Sequence, residues 1–212
     1  MLLSIDPSTT TVGAALFVRH DDIINTNVPV GHLYAADSIK LAKPADNEDP
    51  AHRWFMACLA IEGWLATKIR GSDEVTALVF ERPQFYSAVK SKGDPNKLVG
   101  VLGVAAMLAG RLSMQNLRAM PSRGMIASYL PAEWIGQLSK VCPTCKGKAK
   151  KKCKDCHGSA WETPRGRRIA SRLSIAERAK CPDQNDAIDA VGIGLTHLGR
   201  LEPVRVYSNG RD

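Results

Sequence analysis

The chain lacks any long apolar run: nothing in its 212 residues approaches the ~20 consecutive apolar positions needed to cross a bilayer, so no membrane partner is expected. Its first apolar stretch starts at residue 2, which leaves no room for a secretory leader and points to an intracellular protein. Negative charge is also scarce. Asp and Glu number 21 against 29 Lys and Arg, a formal net charge of +8, which favours a polyanionic partner: nucleic acid, an anionic membrane surface or the ribosome. No Ser-His or Cys-His nucleophile arrangement is recognisable, which suits a chemistry that needs no nucleophilic side chain. Cysteine is sparse outside one segment. Of six, four form two C-x-x-C pairs, which is metal spacing in a reducing compartment, and only Cys58 and Cys181 remain as ordinary thiols.

What is present begins with a strand that ends in an acid. Leu2 to Ile5 is short and apolar, Asp6 closes it, Pro7-Ser8-Thr9-Thr10 supplies turn chemistry, and residues 12–17 resume a strand pattern, together a β-hairpin. Two readings of Asp6 compete: its carboxylate caps the turn, or it holds a metal. Hydrophobic residues at 44% are enough for one large domain or for a domain with an insert. Residues 28–36 read as a third, edge strand with Gly31. Trp54, Cys58, Ile61 and Leu65 recur at helical spacing through about Arg70. Val75 to Phe80 is a second apolar strand ending in an acid, Glu81, and Pro83 stops it. Strand, helix, strand is the crossover that sets neighbours parallel, so Asp6 and Glu81 are expected at one edge of one sheet, where ligands of open α/β sheets gather.

Residues 84–96 form a loop in which Phe85 and Tyr86 lie among Lys90 and Lys92, with Lys97 just beyond. Aromatics among lysines suit base stacking beside phosphate contacts; the competing reading tucks Phe85 under the loop as core. A helix is predicted over 97–112, whose Gly100 and Gly103 permit close packing within the chain or across a dimer. A strand follows at 125–129 and a helical turn from Pro131.

Composition then changes. Residues 141–158 carry Cys142, Cys145, Cys153 and Cys156 as two knuckles seven residues apart, interleaved with Lys146, Lys148, Lys150, Lys151, Lys152 and Lys154. Four thiolates close a tetrahedron about one structural Zn²⁺, which would fold an insert too small for its own core. The lysines either offer charge to phosphate or form a solvated loop. Thr163-Pro164 starts a helix predicted to run to about Lys180, with Arg165, Arg168 and Arg172 among a basic set opposite Ile169 and Leu173. A last helix, capped by Asp183 or Asn185, presents Asp186 and Asp189 from one side of its first turn. Stabilisation by the helix dipole explains Asp186 well and Asp189 less well.

If Asp6, Glu81, Asp186 and Asp189 converge, their repulsion requires cations, and hard oxygen-binding Mg²⁺ or Mn²⁺ is expected. Two such ions would hydrolyse a phosphodiester. These motifs, Ile5-Asp6-Pro7-Ser8, Phe80-Glu81 with the aromatic loop behind it, and Asp186-Ala187-Ile188-Asp189-Ala190-Val191 leading to Leu195-Thr196-His197, resemble the RuvC family of Holliday-junction resolvases in the RNase H-like superfamily. The resemblance implies a mixed five-stranded sheet flanked by helices, over 1–140 and 159–212; the zinc-binding insert at 141–158 lies outside it. It further implies metal-dependent nicking of branched DNA by a homodimer, with Asp6, Glu81, Asp186 and Asp189 as metal ligands and Phe85 or Tyr86 stacking on a base near the junction. Two features depart from the bacterial enzyme. Ser8 stands where cellular members usually have Gly, and the insert, similar to DnaJ-type zinc repeats, suggests a phage member working in the cytoplasm of a bacterium or infected host. An actin-like ATPase or kinase shares the superfold, but no second phosphate hairpin or adenosine motif is present. A zinc-ribbon DNA-binding protein on an inactive scaffold is the non-enzymatic alternative.

Overall fold

The computed structural model describes residues 1–7, 10–18, 31–42, 49–69, 75–82, 100, 103–104, 108, 126–135 and 160–201. Strands β1 (Leu2–Asp6), β2 (Thr11–Val18), β3 (His32–Lys40), β4 (Ala77–Glu81) and β5 (Ile126–Tyr129) form one sheet in the order β3-β2-β1-β4-β5. The short link after Asp6 leaves β2 only one way to return, antiparallel to β1, and β3 adds antiparallel to β2. Between β1 and β4 the chain passes through helix α1 (Pro50–Lys68), and that crossover sets β4 parallel to β1; β5 is parallel to β4. Further helices among the described residues are α2 (Pro131–Ile135), α3 (Pro164–Ala170), α4 (Ile175–Arg178) and α5 (Asn185–His197), and residues 100, 103, 104 and 108 are helical as well.

Period-two alternation divides the core into two layers. Leu3 and Ile5 of β1 join Cys58, Ile61 and Leu65 of α1, with Val104 and Leu108, on one face of the sheet. Leu2 of β1 with Ala77 and Val79 of β4 packs on the other, against Ala187, Val191 and Leu195 of α5. Between these layers β1 is buried along its length; even Ser4 is fully covered, and its hydroxyl donates to the Ala190 carbonyl of α5 at 2.6 Å. The central strand β1 is thus clamped from both faces, and its one charged residue, Asp6, stands at its end.

Several expectations are corrected. The edge strand occupies His32–Lys40, later than residues 28–36, because its ladder with β2 continues through Asp37 and Ser38, polar residues that an edge strand tolerates. The helix predicted to run from Pro164 to about Lys180 is two short helices. Ser174 opens the second with a capping box, its Oγ accepting from Glu177 N while Glu177 accepts from Ser174 N, and this local signal overrides the apolar periodicity. Neither Asp183 nor Asn185 caps α5: the N-cap is Gln184 without a side-chain bond, Asp183 accepts from Trp161 N at 3.0 Å, and the Ala187 N–H of the first turn is satisfied by Ser38 Oγ of β3 at 3.2 Å. Gly100 and Gly103 do serve close packing, and it is internal: a Cβ at Gly100 would overlap the indole of Trp54 in α1, and one at Gly103 would stand 2.7 Å from it. Cys58 and Cys181 are buried thiols outside any disulfide, and burial pushes the Cys181 thiol up to about 12.

Candidate active site

Asp6 ends β1 and Glu81 ends β4. The parallel register runs from Leu2↔Ala77 to Ile5↔Phe80, so Asp6 and Glu81 occupy the next matched positions at the same sheet edge. Alternation puts both on the face covered by α5, since Leu2, Ala77 and Val79 pack there. From α5 come Asp186 and Asp189, in its first turn and just beyond.

What lets the helix reach the hairpin is Gly13. It lies opposite Asp6 in the antiparallel ladder, and a Cβ on it would overlap the backbone carbonyl of Asp186. Any larger residue would push the first turn of α5, with both its acids, away from Asp6. A glycine inside a strand is the sequence signal for such close backbone approach.

The four carboxylates feel one another. Burial raises the proton affinity of Asp6 well above the usual carboxylate range, and the charges of Asp189, Glu81 and Asp186 raise it further. Asp189 is pushed up to about 8, first by burial, with Arg165 opposing and Glu81 and Asp186 adding. Glu81 and Asp186 are raised as well, burial again the leading cause. Asp186 is partly relieved by its own backbone N–H, as befits an acid at a helix start.

Two side chains hold this cluster. Trp134 of α2, almost fully buried, donates its indole N–H to Glu81 Oε2 at 2.9 Å. Arg165 of α3 places Nε 2.9 Å from Asp189 Oδ1, and its guanidinium lies 5.9 Å from the Trp134 ring centroid. That short distance is an ion pair without hydrogen-bond alignment: among the described residues Asp189 Oδ1, buried, accepts no hydrogen bond. The ion pair only partly relieves the burial of Asp189. A buried carboxylate oxygen with nothing donated to it, amid three more acids, matches the donor chemistry of a hard divalent cation. No group of three or more acid, His or Cys side chains is already arranged to hold a metal ion among the described residues, so the acids share an edge without forming a finished coordination shell.

The structure thus brings Asp6, Glu81, Asp186 and Asp189 together electrostatically. Arg165 faces the acids, Arg168 donates to the carbonyl of Ile135 at 2.8 Å, and Arg172 is exposed with its carbonyl bonded by Arg200. Phe85, Tyr86, Lys90, Lys92, Lys150, Lys151 and Lys152 lie outside the described residues, as do Cys142, Cys145, Cys153 and Cys156. Gly13 and Trp134 are the site residues that pattern reading passes over: one carries no functional group, and the other is only part of a short helical turn. Thr196 bonds back to the Gly192 carbonyl, and His197 Nδ1 lies 3.3 Å from the Tyr129 hydroxyl.

The sheet order, the mixed pairing and the flanking helices define an RNase H-like α/β domain. The chain is similar to the solved structure of RuvC from T. thermophilus in complex with Holliday junction substrate, at 18% identity and a TM-score of 0.50 over 96% of this chain and 98% of that one. A second structure, of Thermus thermophilus RuvC, aligns at 17% identity and a TM-score of 0.49 over 96% and 99%. No protein-family model and no curated protein matches the chain. Identity at this level bears on the fold alone.

Proposed function

We propose that this protein is a divalent-metal-dependent endodeoxyribonuclease that nicks branched DNA, four-way junctions above all, by phosphodiester hydrolysis. The observation that carries the reading is the gathering of Asp6, Glu81, Asp186 and Asp189 from two strand ends and one helix at a single edge of an RNase H-like sheet. Their oxygens would hold two Mg²⁺ or Mn²⁺ ions, which supply when bound the Lewis acidity that activates water and neutralises the leaving oxygen. The chain's own part is to position: β1 and β4 fix Asp6 and Glu81 at matched height, the indole of Trp134 orients Glu81, and Gly13 admits Asp186 and Asp189. A net charge of +8 suits a DNA partner, and the likeness in fold to a RuvC solved with Holliday junction substrate supports branched DNA as that partner.

Within this reading Phe85 and Tyr86 stack on bases; Lys90, Lys92, Lys150, Lys151, Lys152, Arg165, Arg168 and Arg172 meet phosphate; and Cys142, Cys145, Cys153 and Cys156 hold one structural Zn²⁺ in the 141–158 insert. A homodimer would place two such sites on one junction, in a bacterial or phage-infected cytoplasm, with a phage origin for the insert-bearing form. Among the described residues no helix is long and apolar enough to cross a membrane.

The test is a panel of Holliday junction, fork, flap and linear duplex with Mg²⁺ or Mn²⁺, run beside Asp6→Asn. Junction nicking by the wild type, its loss in Asp6→Asn and retained junction binding in Ca²⁺ are expected; equal nicking by the purified variant would sink the assignment. Zinc content and junction affinity of Cys142→Ser test the insert, and both are expected to fall.

A further inference from the structure

Arg165 leaves a rigid base. Pro164 opens α3, the Thr163 hydroxyl accepts from Gly166 N at 3.0 Å and donates to the Ala160 carbonyl at 2.7 Å, and a Cβ at Gly166 would overlap that same carbonyl. From this anchored turn the side chain is aimed at the acid cluster. Its Nε is 2.9 Å from Asp189 Oδ1, its Nη2 is 3.5 Å from Asn185 Oδ1, and its guanidinium rests over Trp134, the residue that bonds Glu81. Among the described residues Arg165 is the positive charge felt by all four acids. The side chain is about one-quarter exposed, so water screens this charge only in part.

We propose that Arg165 is a built-in counter-cation of the acid cluster: it must withdraw from Asp189 Oδ1 before that oxygen can ligate a divalent cation, and it thereby sets the ion concentration at which the site fills. The inference rests on the metal-binding role proposed for the acids. Two positive charges cannot share one carboxylate oxygen at short range without strong repulsion in a partly buried site. The planar, permanently charged guanidinium already lies over the face of Trp134 while paired with Asp189, so it has an aromatic contact that does not depend on the ion pair. The same residue keeps four crowded acids tolerable when no ion is bound and raises the threshold for loading them.

Calorimetric titration of the full-length protein with Mn²⁺ tests this, using wild type, Arg165→Gln, Arg165→Lys and Asp189→Asn. Arg165→Gln is expected to bind Mn²⁺ about tenfold more tightly at low ionic strength, and to unfold at lower temperature in chelator. Arg165→Lys, which keeps the charge, should stay near wild type. Unchanged or weaker Mn²⁺ affinity in Arg165→Gln overturns the counter-cation role. If the wild type binds no Mn²⁺, or Asp189→Asn binds it like wild type, the metal-site reading itself fails, a separate outcome. Should Arg165→Gln not fold, the wild type still decides. The Nε–H resonance assigned to Arg165 by its loss in Arg165→Lys must shift on titration with Mg²⁺, with the midpoint of ion binding; a signal that stays in place at saturation overturns the proposal.

Discussion

One carboxylate, Glu177, tied to Arg200 just after the end of α5, and the four acids gathered at its start have opposite fates. Glu177, in the buried node between α4, β3 and the turn after α5, accepts from Leu33 N and Ser174 N at 2.9 Å each and is gripped by both terminal nitrogens of Arg200 at 2.6 and 3.0 Å. Those bonds outweigh its burial and hold it down to about 2. At the sheet edge the acids receive far fewer donors from the described residues, and burial drives all four up. Burial alone therefore does not set the behaviour of an acid here; the supply of aligned donors does. The node is satisfied by the chain itself, whereas among the described residues the edge leaves a buried acid oxygen without a donor, the condition on which the proposed ion site rests.

The largest effect expected of any single change is on the unsatisfied side. Asp6→Asn should lower divalent-dependent junction nicking by about a thousandfold, equivalent to ~4 kcal/mol of transition-state stabilisation. In chelator the same variant should be as stable as wild type or more so, because it removes one of four repelling charges, and a urea melt reads this directly. Next comes the satisfied side. Glu177→Gln breaks a buried, bidentate pair and should cost about 3 kcal/mol in denaturant unfolding; a cost near zero would erase the contrast between the two regions.

The two regions should also part with pH. Glu177 titrates near 4.5 when unfolded and at about 2 when folded, so its contribution is complete above the first value and is lost as pH falls through the second. Asp189 runs the other way: raised from 3.8 to about 8, it favours the folded state at low pH and loses that advantage as pH rises through about 8 in the absence of divalent ions. Stability curves of Glu177→Gln and Asp189→Asn should each lose one of these limbs and keep the other.

Smaller effects sharpen the geometry. Gly13→Ala should cost roughly 2 kcal/mol by forcing the first turn of α5 off the hairpin, and should weaken Mn²⁺ binding, whereas an overpacked site far from the acids would change stability alone. Ser4→Ala, which removes one hydroxyl donor to a helix carbonyl, should cost about 1 kcal/mol and leave ion binding near wild type.

Much of this was legible in the residues. Apolar strands ending in Asp6 and Glu81, with a helix between them, dictate a parallel pair with both acids at one edge, because a crossover leaves no other arrangement. The three-residue spacing of Asp186 and Asp189 places both on one side of a helix. The break between α3 and α4 was also written in the chain, as Ser174-x-x-Glu177, but the apolar period across it is the louder signal. Tertiary structure alone decided the rest. Arg165 belongs to a basic helix face by sequence and to an acid cluster by contact; Trp134, in a short helical turn by sequence, is buried with its one polar atom spent on Glu81. Gly13 matters only because a helix more than 170 positions later presses its backbone there. Periodicity records which way a side chain faces, so the sequence determined the sheet, its edge and its acids. Which distant groups meet those acids depends on how the layers close over the strand ends, and only the folded chain decides that.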